Sequence, residues 1–204
     1  MKTNTLTFTL ILATALSAFA GEVETKTPAV FGSLQSSFAP WNYSEINNLV
    51  LFAIGAGTCE GGEGKFQSFP YNATEAIIEW ATMDLVAKVS PKDHMACINY
   101  LIQYLQENRP NVTRVVLVNA PPVAQNNYFG IVPDQVKAYN VQYALLPSEY
   151  PGYVVVADVW SQIVQPTGYA CPPFMNGKDG VIFAPPKIPG VSWEFFFRQI
   201  KEGL

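Results

Sequence analysis

Short, continuously apolar runs alternate with segments of helical periodicity along this 204-residue chain. The apolar runs that predict β-strands are Ala29–Phe31, Leu49–Ile54, Val115–Val118 and Tyr153–Ala157. Runs of this length, apolar on both faces and alternating with helices, are typical of a parallel sheet covered by helices. We therefore predict an α/β fold, a three-layer parallel sheet with helices on both faces.

Apolar residues recur at helical spacing in four segments, which are residues 72–85, 90–110, 133–146 and 191–201. The first of these segments opens with Asn72–Glu75, which has the pattern of a capping box. The second has Pro91 at the first helical position, where a missing backbone N–H costs nothing. In contrast, Cys59–Tyr71 is rich in glycine and polar residues, and this stretch predicts a loop.

The first twenty residues have the pattern of a secretory signal peptide. Lys2 supplies a positive start, Leu6–Leu16 is apolar, and Ala18–Ala20 has the small-x-small pattern of a cleavage site. The apolar run is too short to span a bilayer, and no longer run follows it. We therefore predict a signal peptide at 1–20, one mature domain at 21–204, secretion and no membrane span.

The composition excludes one class of partner and suggests one kind of modification. The net charge is −4 with 14% charged residues, and no basic cluster exceeds two or three residues. Nucleic acid is excluded as a partner, because phosphate binding needs a concentrated positive patch. Three Asn-x-Ser/Thr triplets, at Asn42, Asn72 and Asn111, would be glycan sites in a secreted eukaryotic protein.

Three cysteines leave one thiol outside any single disulfide. Because Cys97 lies on the apolar stripe of the second helix, we predict that it is a buried thiol, which leaves Cys59 and Cys171 as the candidate bridge. The cysteines and His94 include no close pair of metal ligands, so we predict no metal and no cofactor. His94 lies on or beside the same stripe, which favours a structural role.

Residues at the ends of the predicted strands are the candidate functional residues. In open parallel sheets, ligands bind beyond the carboxyl ends of the strands. The positions concerned are Gly32-Ser33, Gly55-Ala56-Gly57, Asn119-Ala120 and Asp158. Asp158 either lines a cleft there or serves as a structural hydrogen-bonding residue.

The first of these turns, Phe31-Gly32-Ser33-Leu34, resembles the Phe-Gly-Asp-Ser-Leu block of the GDSL (SGNH) esterases without its aspartate. Three later segments resemble the family's following blocks in order: Leu49–Thr58, Leu101–Val123 and Asp179–Val181. The resemblance covers most of residues 29–204. It is closest to the isoamyl-acetate-hydrolysing branch, through Val155–Trp160. The family's fold is the flavodoxin-like three-layer sheet, here shortened.

The resemblance implies ester hydrolysis by a serine that a histidine activates and an aspartate orients. It places Ser33 at the nucleophile position and Asp179 at the position of the aspartate. Gly55 and Gly57 fall at the oxyanion positions, where Gly57 replaces an asparagine. Ile182 replaces the catalytic histidine. Loss of that histidine costs on the order of 10⁶ in turnover.

The sequence therefore predicts a secreted ester hydrolase-like protein whose activity is lost or much reduced, with a small-molecule ester or acylated glycan as its ligand. One alternative is a secreted binding protein that holds an ester, lipid or glycan in the former cleft without cleaving it. Another is a splicing error in the gene model, since only 22 positions separate Ser33 from Gly55 and the family's second block is missing.

Overall fold

The computed structural model describes residues 26–55, 57–171, 174–175, 179–181 and 191–204. The predicted signal peptide at 1–20 and Ile182 lie outside the described residues.

Five parallel strands form one sheet in the order β2-β1-β3-β4-β5. The strands are β1 (Pro28–Gly32), β2 (Val50–Ile54), β3 (Glu75–Glu79), β4 (Arg114–Val118) and β5 (Val154–Ala157). Every residue of β1 and β3 is buried, so both faces of the sheet are covered at its centre. The predicted α/β fold with a parallel sheet is confirmed.

Helices connect the strands. They are α1 (Leu34–Phe38), α2 (Cys59–Phe66), α3 (Ala81–Val86), α4 (Pro91–Asn108), α5 (Pro133–Tyr143), α6 (Leu146–Glu149) and α7 (Val191–Gly203). A short 3₁₀ turn at Trp41–Tyr43 follows α1. The indole of Trp41 packs against Phe197 of α7, with ring centroids 5.3 Å apart, and so ties the chain after β1 to the last helix.

The helix predicted over residues 72–85 is wrong in its first half, where the chain forms β3. Asn72–Glu75 therefore form no capping box, and the hydroxyl of Thr74 accepts a hydrogen bond from the backbone N–H of Thr27 at 2.7 Å. Ile77 and Ile78 are both fully buried, because successive residues of a central strand face opposite covered faces. The helical part begins only at Ala81.

The loop predicted over Cys59–Tyr71 is wrong over Cys59–Phe66, which forms α2, and is confirmed only for the residues after it. The hydroxyl of Thr58 caps this helix by accepting the N–H of Gly61 at 3.3 Å. Gly62 is required by packing, since a Cβ there would lie 2.8 Å from the ring of Trp80. Gly62, one of the glycines that suggested a loop, therefore allows α2 to pack closely against the indole of Trp80.

The predicted pairing of Cys59 with Cys171 is wrong, since the structure contains a Cys59–Cys97 disulfide and a free Cys171. Helix α2 begins at Cys59 and packs against α4, on which Cys97 faces inward. The apolar stripe that predicted burial of Cys97 was correct, but it faces a second cysteine. A buried position therefore did not exclude a bridge.

The described part of the chain contains neither a membrane-spanning helix nor a cluster of metal ligands. None of its helices is both long and apolar enough to cross a bilayer. No group of three or more histidine, cysteine, aspartate or glutamate side chains within it is placed to hold a metal ion.

Candidate functional site

Ser33 lies between β1 and α1, at the carboxyl edge of the sheet where the sequence placed it. Its side chain is fully buried, and its hydroxyl has no hydrogen-bond partner among the described residues. The preceding Gly32 leaves no room for a side chain, because a Cβ there would lie 2.2 Å from Ser36 Oγ and 2.9 Å from Glu79 O. The turn is therefore tightly closed against the end of β3.

The backbone amide of Ser33 and that of Gly55, an oxyanion candidate, already have acceptors. The N–H of Ser33 donates to the carbonyl of Glu79 at 2.7 Å, and the N–H of Gly55 donates to the carbonyl of Gly32 at 3.2 Å. Gly57 is exposed, and its carbonyl accepts a hydrogen bond from the indole of Trp80 at 2.8 Å. An oxyanion hole requires donors aimed at the reacting oxygen, so these two amides do not form one here.

Glu79 is a buried acid beside Ser33 that the sequence reasoning missed. Its side chain is about 1% exposed, and Oε2 accepts the backbone N–H of Ser36 at 3.0 Å. Burial raises the pKa of this carboxyl, against the hydrogen bond from the Ser36 N–H that favours its charged form. The only available signal was an acid at the end of an apolar Ile77-Ile78 pair, and the helix prediction concealed it.

The turn after β3 also affects how the family blocks are assigned. Both Gly55 and the turn that starts at Glu79 lie next to the Gly32-Ser33 turn, as their backbone hydrogen bonds show. The turn after β3 is therefore a second candidate for the turn that carries the family's asparagine. The assignment of Gly57 to that position stays a prediction. So do the roles given to Ser33 and Gly55.

His94 is fully engaged away from Ser33. Its Nδ1 lies 2.6 Å from Oδ2 of Asp84, and its Nε2 lies 2.9 Å from the hydroxyl of Tyr143. Burial raises the pKa of Tyr143 well above its usual range, so the phenol keeps its proton. With both ring nitrogens in use and 1% exposure, this imidazole is a structural member of the core.

The terminal block lies against the helix that follows Ser33. Oδ1 of Asp179 accepts the N–H of Val181 at 2.9 Å, and the carbonyl of Val181 accepts a hydrogen bond from Gln35 Nε2 at 2.6 Å. The side chain of Gln35 in α1 thus contacts the chain at Val181, just before position 182. The role of Asp179 as the triad aspartate stays a prediction.

Asp158 and Asn119 close the carboxyl ends of β4 and β5. Oδ1 of Asp158 accepts hydrogen bonds from Asn119 Nδ2 at 2.9 Å and from the N–H groups of Trp160 and Ser161 at 3.0 Å. Burial alone would raise the pKa of Asp158, but these hydrogen bonds and one from the Ser161 hydroxyl lower it. Of the two roles considered for Asp158, these contacts favour the structural one.

Three surface cavities lie elsewhere on the molecule. The first, of about 580 Å³, is bordered by Glu45 and by polar residues of α7. The others, of about 410 and 660 Å³, flank the start of α4 at Ser90 and Pro91. Ser33 lines none of these three, in agreement with its complete burial.

Comparison with solved structures identifies the architecture. The chain is similar to a Streptococcus pneumonia protein named as a platelet activating factor, with 14% identity, TM-score 0.74 and coverage of 98% of this chain and 99% of that one. It is similar to a GDSL-like lipase from Bacteroides thetaiotaomicron, with 17% identity, TM-score 0.69 and 95% of both chains covered. A lipase/acylhydrolase from Enterococcus faecalis has 12% identity and TM-score 0.69, with 87% and 94% covered. The chain has the GDSL-hydrolase fold.

The predicted resemblance to the GDSL (SGNH) esterases is thereby confirmed at the level of the fold. No family profile matches the sequence, and no curated protein matches it. The GDSL-hydrolase fold places Ser33, Gly55 and Asp158 at one edge of the sheet. Chemistry has to be argued from these residues themselves, because a fold alone does not establish an activity.

Proposed function

We propose that this chain is an exported protein of the GDSL-hydrolase fold in which serine-dependent ester hydrolysis is lost or strongly reduced. The observation that carries the proposal is the state of Ser33, whose hydroxyl is buried without a hydrogen-bond partner among the described residues and whose N–H already donates to Glu79. A serine is a weak nucleophile until a base takes its proton, and His94 has no free nitrogen to do so.

Each requirement of acyl transfer is weakened at this site. The base position holds Ile182, an aliphatic side chain that takes up no proton. The amides of Ser33 and Gly55 already have acceptors, and loss of one oxyanion donor costs roughly 10²–10³ in turnover. The effects of residues that act together do not add, but either loss alone makes efficient turnover unattainable.

Export is part of the proposal and has a separate support. The Cys59–Cys97 disulfide requires an oxidising compartment, since thiols stay reduced in the cytosol of most organisms. A leader pattern in the first twenty residues and a disulfide in the folded domain favour the same destination.

The direct test is hydrolysis of a short activated acyl ester, such as p-nitrophenyl acetate, by the mature chain and by Ser33→Ala. We expect the two proteins to show the same low rate, because the wild-type hydroxyl contributes nothing to the reaction. Ser37→Ala is the matched control, since this exposed serine lies in α1, four residues after Ser33. Turnover that Ser33→Ala abolishes and Ser37→Ala retains would contradict the proposal.

The alternative function is binding of an ester, lipid or acylated glycan in the former cleft without cleavage. It requires space around Ser33, and the complete burial of that residue makes it the less favoured candidate. A thermal-shift screen with short esters and acetylated sugars decides between the two, and we expect no dose-dependent rise in Tm. A saturable rise would favour the binding function.

A further inference from the structure

The three Asn-x-Ser/Thr triplets share a location in the fold. Asn42 lies between α1 and β2, Asn72 between α2 and β3, and Asn111 between α4 and β4. All three asparagines are exposed. Connections that lead from a helix into a parallel strand lie at the amino ends of the strands, so all three triplets face away from the edge that holds Ser33.

Asn72 and Asn111 form a pair. Each stands three residues before one of the partners Glu75 and Arg114, which are paired in the parallel register of β3 and β4. The two turns are also joined directly, because Asn111 Nδ2 donates a hydrogen bond to the carbonyl of Tyr71 at 2.9 Å. The two side-chain amides are therefore neighbours on one surface.

Tyr71 directly precedes Asn72, and its ring is held in place by Arg109. It is 73% exposed, yet the guanidinium carbon of Arg109 lies 4.0 Å from its centroid. Arg109 is itself buried and donates hydrogen bonds to the carbonyls of Phe69 at 2.7 Å and Gln67 at 2.6 Å. A fixed, exposed aromatic ring gives the apolar C–H face of a sugar a packing surface without a large entropy cost.

We propose that Asn72 and Asn111 carry N-linked glycans and that the first sugar packs on Tyr71. The donor is an oligosaccharide linked to a lipid pyrophosphate, in the secretory pathway of a eukaryotic cell. The anomeric carbon loses its bond to the pyrophosphate oxygen and bonds to Nδ2, which releases one proton as the lipid pyrophosphate leaves. The remaining hydrogen on Asn111 Nδ2 still donates to the Tyr71 carbonyl and orients the sugar. The proposal rests on export.

Site occupancy is tested with the full chain, including its first twenty residues, secreted from cultured eukaryotic cells in an Asn42→Gln background. Removing the glycans with an amidase in ¹⁸O-water leaves a labelled aspartate at each occupied site. We expect label at positions 72 and 111, and loss of one glycan in each of Asn72→Gln and Asn111→Gln. Asn126→Gln, an exposed asparagine outside any triplet, should change nothing. Secreted protein without label overturns the glycan proposal alone, whereas protein that never enters the pathway overturns export as well.

Packing on Tyr71 is tested by comparing Tm before and after glycan removal, in the wild type and in Tyr71→Ala. We expect removal to lower the wild-type Tm by roughly 2–4 °C, the shift that a contact of ordinary strength gives in a domain of this size. In Tyr71→Ala the same removal should change Tm by less than half as much. An equal shift in both proteins would show that the sugars do not use this ring.

Discussion

Glu79 is a buried acid at the centre of the sheet. It ends the middle strand of the sheet, where its carboxyl is almost fully buried and accepts the N–H of Ser36. Such burial penalises the charged form, so the folded state binds this proton more tightly than the unfolded chain does. The contribution of the neutral carboxyl to the free energy of unfolding is fully present below its unfolded pKa of 4.5. This contribution is lost as the pH rises through the higher pKa of the folded state.

Glu79→Gln should remove this pH dependence. We expect the free energy of unfolding of the variant, relative to the wild type, to increase as the pH is raised above about 4.5, because the amide never ionises. Urea unfolding of both proteins between about pH 4.5 and pH 8 measures this difference. Glu107→Gln, on an exposed position of α4, serves as the control. A difference that is constant across this range would contradict the assignment.

The chain of hydrogen bonds from Asp84 through His94 to Tyr143 leads to a second prediction. His94→Ala leaves the buried Asp84 carboxylate without its imidazole partner and should lower the free energy of unfolding by about 3 kcal/mol. The double variant Asp84→Ala/His94→Ala should lose less than the sum of the single variants, because they share one interaction. Additive losses in chemical denaturation would show that the two side chains are not coupled.

At the scale of elements, the disulfide joins α2 to α4 and encloses a loop with a sequence separation of 38 residues. Replacing both Cys59 and Cys97 by alanine should cost about 4 kcal/mol, the loop-closure entropy expected for that length. Urea denaturation of the double variant measures this cost. Cys171→Ser should leave the midpoint unchanged, because that thiol is free. Equal midpoints for the double variant and the wild type would contradict the disulfide's role.

The sequence was sufficient for the elements whose apolar pattern has a single interpretation. The runs at β1, β2, β4 and β5, and the long stripe of α4, were predicted because their burial is continuous or strictly helical. It failed at β3, where Ile77 and Ile78 fit a helical stripe and a buried strand equally well, and only pairing with β1 decides between them. The sequence-based prediction was also wrong at α2, because Gly62 there permits close packing against Trp80 and does not mark a loop.

The candidate site was only partly predictable for the same reason. The position of Ser33 follows from the rule that turns at the carboxyl ends of parallel strands meet at one edge. The acid beside it belongs to the strand that was taken for a helix, so Glu79 was missed. The hydrogen bonds that occupy the amides of Ser33 and Gly55 depend on strand register, which one sequence does not reveal.

At the scale of the whole molecule, the two edges of the sheet differ. The carboxyl edge holds Ser33, with its closed turn and buried acid, and the amino edge carries the exposed asparagine triplets. Similarity to GDSL-type lipases and acylhydrolases establishes the architecture, while among the described residues the hydroxyl of Ser33 has no hydrogen-bond partner. We therefore propose that the chain retains a hydrolase fold without an activated serine.

Covalent labelling by a fluorophosphonate tests the central claim most directly, because such probes phosphonylate only serines that a base has activated. Intact-mass analysis of the mature chain after treatment with excess probe reports the stoichiometry. The account predicts no adduct on the folded protein, and spectra of the wild type and Ser33→Ala that differ only by the substitution. One adduct per chain that maps to Ser33 and is absent from Ser33→Ala would contradict it.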